Sequence, residues 1–206
     1  MNPSQKTREQ IFKAAQDGDT EQLNHLFGAG MVSSPMGIQD LQSVKNWALS
    51  QASQHGHLNA VENLLNRGAE IDSFGGNALG VAALNGHTQV VSYLLDHDAD
   101  IHTEEDNALL NAAENNHLET VKVLIERGAD PEAQDGQALL GAAFNDAKEV
   151  VEYFLIELSL DVSPNNQQRL KDNNASYALK VLAMRDDIAT PEPAPAPTRT
   201  LKRGLL

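Results

Sequence analysis

His57, His87 and His117 recur every 30 residues, and His55 stands two places before the first of them. Imidazole is the side chain best suited to ligating a divalent metal or moving a proton near neutral pH. Two imidazole nitrogens on one zinc, each about 2.1 Å from the ion, must lie within about 4 Å of each other. Residues repeated at one fixed interval fall on successive packed units, and packed helices lie about 8 to 10 Å apart. That is too far for a shared ion, so the spacing assigns these histidines to helix ends, where they cap, and no metal is expected. Cysteine is absent, which removes thiolate nucleophiles, thiolate metal sites and disulfides and suits a reducing compartment. Phe74-Gly75-Gly76 is a two-glycine turn without the lysine or helix start of a phosphate loop, and no serine nucleophile motif occurs. The many carboxylates fall on loops and outer helix faces, where nothing shifts their pKa toward acid/base work. The sequence therefore predicts no catalytic residue, no cofactor and no enzyme activity.

The elements that carry these residues come from self-comparison, because a fixed period decides a fold before any local pattern does. A shift of 30 superimposes Ala48-Leu49, Ala78-Leu79, Ala108-Leu109 and Ala138-Leu139, then Val61, Val91, Val121 and Val151. It also aligns Leu64-Leu65, Leu94-Leu95, Leu124-Ile125 and Phe154-Leu155. Within one unit Leu79, Ala82 and Ala83 are spaced i, i+3, i+4, and Val90, Val91, Leu94 and Leu95 carry a second stripe of helical period. Each unit is thus two short helices. Isolated helices below about 12 to 15 residues are marginal in water, so the pairs must stack. Asn85-Gly86-His87 and Asn115-Asn116-His117 tolerate the turn between the helices, and Gly68-Ala69 and Gly128-Ala129 mark the stop after the second.

Residues 81 to 100, Val-Ala-Ala-Leu-Asn-Gly-His-Thr-Gln-Val-Val-Ser-Tyr-Leu-Leu-Asp-His-Asp-Ala-Asp, resemble the ankyrin repeat almost position for position. The usual Thr-Pro-Leu-His is replaced by Asn77-Ala-Leu-Gly80, Asn107-Ala-Leu-Leu110 and Gln137-Ala-Leu-Leu140, and the period is 30, with the missing residues in the finger loop. This is similar to the shortened repeat of giant-virus and some bacterial ankyrin proteins. The resemblance implies an all-α solenoid of stacked helix-turn-helix units with shortened finger loops. The expected organisation is a stack over 1–186, with a first repeat at 7–30, a link at 31–42, repeats at 43–72, 73–102, 103–132 and 133–162, and a cap at 163–186. In the cap, Leu170 takes the place of Leu139 and Val181 that of Val151, with Asn173-Asn174 where the Ala pair should be. Residues 187–206, rich in Pro and Ala, read as a flexible tail.

In the resembled family the concave face commonly binds other proteins, so a protein partner is expected. Carried over by position, the exposed residues before each turn are Gln54 and His55, Leu84 and Asn85, Glu114 and Asn115, Phe144 and Asn145. Leu84 and Phe144 are apolar at nominally exposed places: they either anchor a partner or pack on a neighbouring repeat. Phe74 joins them in the finger region. Glu104, Glu105 and Asp106 form either an acidic patch on that face or a solvated loop. The net charge of -14 repels nucleic acid and suits a partner with a basic or apolar patch. The start is polar and no apolar run approaches the roughly 18 residues of a membrane span. A cytoplasmic monomer is expected. The alternative is a regulatory subunit, or a translocated bacterial effector delivered into a host cytosol, whose tail ending Arg199, Lys202, Arg203 and Leu205-Leu206 is functional.

Overall fold

The computed structural model describes residues 3–28, 38–103 and 106–189. The link at 31–42 lies outside them up to residue 37, and so does the tail from residue 190; residues 187–189, expected in the flexible tail, belong instead to the last helix. Helices alternate along the chain as inner and outer members of successive hairpins. The inner helices are α1 (Pro3–Asp17), α3 (Ile38–Gln54), α5 (Ser73–Leu84), α7 (Asn107–Glu114), α9 (Ala133–Phe144) and α11 (Pro164–Asp172). The outer ones are α2 (Thr20–Gly28), α4 (Leu58–Asn66), α6 (Thr88–Asp96), α8 (Leu118–Glu126), α10 (Lys148–Glu152) with a π-helical extension (Tyr153–Glu157), and α12 (Ser176–Ala189). Each inner helix packs on the next inner helix and on its own outer partner. This is the stacked hairpin solenoid expected from the period. No strand forms among the described residues, so the finger loops there are turns without a hairpin ladder. Among them, too, no helix is long and apolar enough to cross a membrane.

The core explains the period residue by residue. Ala82, Ala83, Ala112, Ala113 and Ala142 are fully or almost fully buried, and only a methyl side chain lets inner helices approach this closely. The outer helices fill the wider side with Val61, Leu64, Val91, Leu94, Val121 and Leu124, all at 0 % exposure. Burying each such side chain is worth about 1.5 to 3 kcal/mol. Small residues thus line the contacts between inner helices, and larger ones fill the outer helices of each unit.

Both turns of a repeat are closed by the same backbone device. In the inner-to-outer turn, His87 N–H donates to Ala82 C=O at 2.9 Å and His117 N–H to Ala112 C=O at 3.0 Å. In the outer-to-inner turn, Ala99 N–H reaches Leu94 C=O and Ala129 N–H reaches Leu124 C=O, both at 3.0 Å. These six-to-one bonds satisfy carbonyls left open at a helix end and need a left-handed residue just before the donor. Gly86 (φ 69°), Asn116 (φ 57°), Asp98 (φ 65°) and Gly128 (φ 104°) supply it.

The C-terminal part departs from the period twice. After α10 the backbone runs through the π turn, and the closing bond becomes Leu160 N–H to Phe154 C=O, one residue longer than its counterparts, with Ser159 at φ 52°. The π turn thus holds one inserted residue. In the cap, Ala175 N–H closes on Leu170 C=O at 2.9 Å with Asn174 left-handed at φ 54°. Leu170 therefore occupies the place of Ala142, not of Leu139, and Asn173-Asn174 form the turn rather than replacing the Ala pair. The cap lies 28 residues, not 30, beyond the repeat before it. With no further inner helix against it in the described stack, this end position holds a fully buried Leu170 where internal repeats hold Ala.

Candidate functional site

Three of the four histidines singled out by spacing join repeats to one another. His57 Nε2 lies 2.7 Å from Gln16 C=O, His87 Nε2 2.9 Å from Gln54 C=O, and His117 Nε2 3.0 Å from Leu84 C=O. A carbonyl only accepts, so Nε2 carries the proton and is not free to ligate a metal in this arrangement. The rings sit at the first position before α4, α6 and α8, yet none makes a side-chain cap bond to its own helix. Capping is thus replaced by a bond to the preceding repeat. Each ring lies across the glycine of that repeat's turn. A Cβ on Gly18, Gly56 or Gly86 would stand 2.7, 2.5 or 2.5 Å from Nδ1 of His57, His87 or His117. Among the described residues no group of three or more His, Cys, Asp or Glu could hold a metal ion.

The residues expected to face a partner form one row per position along the inner helices. Leu84 is 39 % and Phe144 40 % exposed, so neither is absorbed by a neighbouring repeat. Gln54 is exposed and receives a bond from Gln51, Nε2 to Oε1 at 3.4 Å. Glu114 is half-buried, lying against Gly141 of the next inner helix, where a Cβ would come within 2.5 Å of its Cγ. The neighbouring row closes its own helix ends: Asn85, Asn115 and Asn145 donate from Nδ2 to Val81, Asn111 and Gly141 carbonyls at 2.8 to 2.9 Å, and His55 Nδ1 does so to Gln51 C=O at 2.9 Å. All four remain exposed.

Asp106 does not join this surface. It is 6 % exposed, accepts from Asp130 N–H at 3.3 Å, and meets His102 Nδ1 at 3.1 Å. A finger turn buries a backbone N–H that must find an acceptor, and Asp106 provides it. Asn46 does the same for Glu70 N–H at 2.9 Å, whereas the bond from Asp100 N–H to Asp72 at 3.0 Å is exposed. Glu104, Glu105 and the Phe74 side chain lie outside the described residues.

Sequence reasoning passed over Trp47, which is 39 % exposed, with its ring centroid 3.9 Å from that of Phe12 and the planes tilted by 49°. The signal was available: a shift of 30 sets Trp47 beside Asn77, Asn107 and Gln137, a polar and hence outward position. Three tyrosines titrate above the ordinary value of 10.0. Burial raises Tyr93 and Tyr153, with Glu62 adding for the first and Glu157 and Glu126 for the second. Tyr177 is raised first by its hydrogen bond to Glu152, then by burial, and by the charges of Glu152 and Asp146. All three lie on the outer elements α6, the π-helical turn and α12, away from the inner helices that carry Leu84 and Phe144.

Comparison with curated proteins gives no significant match. Residues 11–105, 49–135 and 98–168 each match the family model described as ankyrin repeats (3 copies). Together they run from the first hairpin into α11. The chain belongs to the ankyrin-repeat family.

Proposed function

We propose that this chain is a non-catalytic module that holds a protein partner on the concave face of its stack, with Leu84 and Phe144 as anchors and Trp47 at one end of the face. Ankyrin repeats are in general protein–protein interaction modules and are typically not enzymes. One observation carries the more specific reading: Leu84 and Phe144 keep about two fifths of their surface in solvent at equivalent places of two repeats, whereas Ala82, Ala83 and Ala142 beside them are buried. Apolar anchors inside a polar rim supply most of the energy of an interface. Gln54, His55, Asn85, Glu114, Asn115 and Asn145 make up the rim. The net charge of -14 favours a partner with a basic or apolar patch over nucleic acid. The proposed module acts as a cytoplasmic monomer, a setting that suits a chain without cysteine.

The test is affinity capture on the full chain and on Leu84→Ser/Phe144→Ser, with circular dichroism to show that the variant is folded. Loss of the captured partner by the folded double variant supports the reading, and undiminished capture overturns it. A third arm, the chain shortened to 1–189, addresses the alternative of a functional tail: a partner lost only there moves the function to residues 190–206.

A further inference from the structure

Along the inner helices one row reads Leu84, Glu114, Phe144: apolar, acidic, apolar, one residue per repeat. The repeats are locked side by side by the His117 bond to Leu84 C=O and by Glu114 lying on Gly141. Equivalent residues of packed helices stand about 8 to 10 Å apart. A polyproline II segment advances about 3.1 Å per residue with three residues per turn, so it presents one side chain about every 9.3 Å on a single edge. Its pitch matches the spacing of the row. A β-strand does not match, since side chains on one of its faces recur about every 6.6 to 6.8 Å.

An α-helix with contacts seven residues apart advances about 10.5 Å, so spacing alone does not separate it from polyproline II. The adjacent row does. Asn85, Asn115 and Asn145 each spend one amide N–H on their own helix, and each amide nitrogen carries a second. These donors, one per repeat beside the apolar row, suit a backbone whose carbonyls are unpaired. Polyproline II has no internal hydrogen bonds, whereas a helix has spent its carbonyls on itself. A helix would also lay an apolar stripe at least about 100° wide over those exposed amides. Glu114 sits where the middle residue falls and calls for a base there.

We infer that the concave face recognises a polyproline II segment carrying apolar, basic and apolar side chains at positions i, i+3 and i+6, which meet Leu84, Glu114 and Phe144 while its carbonyls accept from the three asparagine amides. This inference rests on the concave-face reading above. Its test is selection from a displayed library of random peptides of about 12 residues, enough for four polyproline turns, against the full chain. Enriched peptides should carry the i, i+3, i+6 pattern with Lys or Arg in the middle. Moving the third group by one residue should weaken binding about tenfold, the loss of one good anchor, and selection on Glu114→Lys should exchange the base for Asp or Glu. Enrichment of a helical i, i+3/i+4, i+7 apolar pattern, or of no pattern, or of nothing, overturns the inference. If such peptides are still lost by Leu84→Ser/Phe144→Ser, the concave-face reading survives; if they ignore that variant, both fall.

Discussion

The junctions between neighbouring hairpins are made in two ways. Along the N-terminal side, three successive junctions lay a histidine ring on a glycine: His57 on Gly18, His87 on Gly56, His117 on Gly86. Further on the ring is gone. Ala147 stands where the next histidine would be, 2 % exposed, and the turn opposite it is made by Asn116 at φ 57°. The next two turns are likewise made by Asp146 (φ 56°) and Asn174 (φ 54°). The left-handed turn therefore does not itself demand glycine, because Asn and Asp enter that conformation at modest cost. Glycine is demanded by the ring of the following repeat, which would collide with any Cβ. At the ring-free junction the vacated space is bridged by Asn116, whose Oδ1 accepts from Val150 N–H at 3.5 Å.

Both kinds of junction rest on the same apolar filling, and the largest expected effect comes from removing part of it. Leu94 is fully buried between α6 and its neighbours. Leu94→Ala should cost about 2 to 5 kcal/mol through the lost transfer energy and the cavity left behind. Urea unfolding followed by circular dichroism would register it as a lowered midpoint. Because a repeat touches only its neighbours, a fall in the slope of the transition as well would mean that the stack parts at α6 and unfolds in pieces.

The next effect separates the two junctions. Gly86→Ala places a methyl at φ 69° and within 2.5 Å of the His117 ring, and should cost about 1 to 3 kcal/mol. Asn116→Ala keeps a Cβ that the fold already accommodates and should cost less. The decisive measurement is a double-mutant cycle: with His117→Ala the collision disappears, so Gly86→Ala should become cheaper by about 0.5 kcal/mol or more. Additive losses would mean that the ring does not dictate the glycine.

Much of this is legible in the sequence, and the exceptions share a cause. The period, the Ala pairs and the two stripes follow from burial, which acts at every repeat alike. The histidines stand at helix starts, as their spacing predicts, but their partners are carbonyls of the preceding repeat, and a pattern within one repeat does not report a contact between two. A signal exists in the pairing itself: Gly56 and Gly86 precede a histidine 31 residues on, whereas Asn116 precedes Ala147. The π turn is hidden because Val150, Val151, Phe154 and Leu155 continue the apolar stripe unchanged. Only the missing Gly-Ala after it, where Leu158-Ser159 stand in place of Gly128-Ala129, betrays the inserted residue. At the ends of α5 and α9 the exposure of Leu84 and Phe144 follows from their register. The burial of Asp106 does not, since charge runs say nothing about which backbone N–H needs an acceptor.

The smallest expected effect gives the sharpest form of the comparison. Asn116→Gly alone relieves a left-handed side chain and gives up a long hydrogen bond, opposing changes that should leave stability within about 0.5 kcal/mol of the natural chain. Its value lies in what it permits. Ala147→His forces a ring into a buried site facing the Asn116 Cβ and should destabilise by about 1 to 3 kcal/mol, as overpacking does. Made together with Asn116→Gly, the ring gains the open glycine face that the three earlier junctions provide and a carbonyl of the preceding repeat, that of Glu114, in the place of Leu84 C=O. The pair should then recover at least about 0.5 kcal/mol of that loss in urea unfolding, a coupling typical of side chains in contact. If Ala147→His costs the same with Asn116→Gly as without it, the glycine face is not what seats the ring, and the neighbouring outer helices, with their inserted π residue, must set the junction instead.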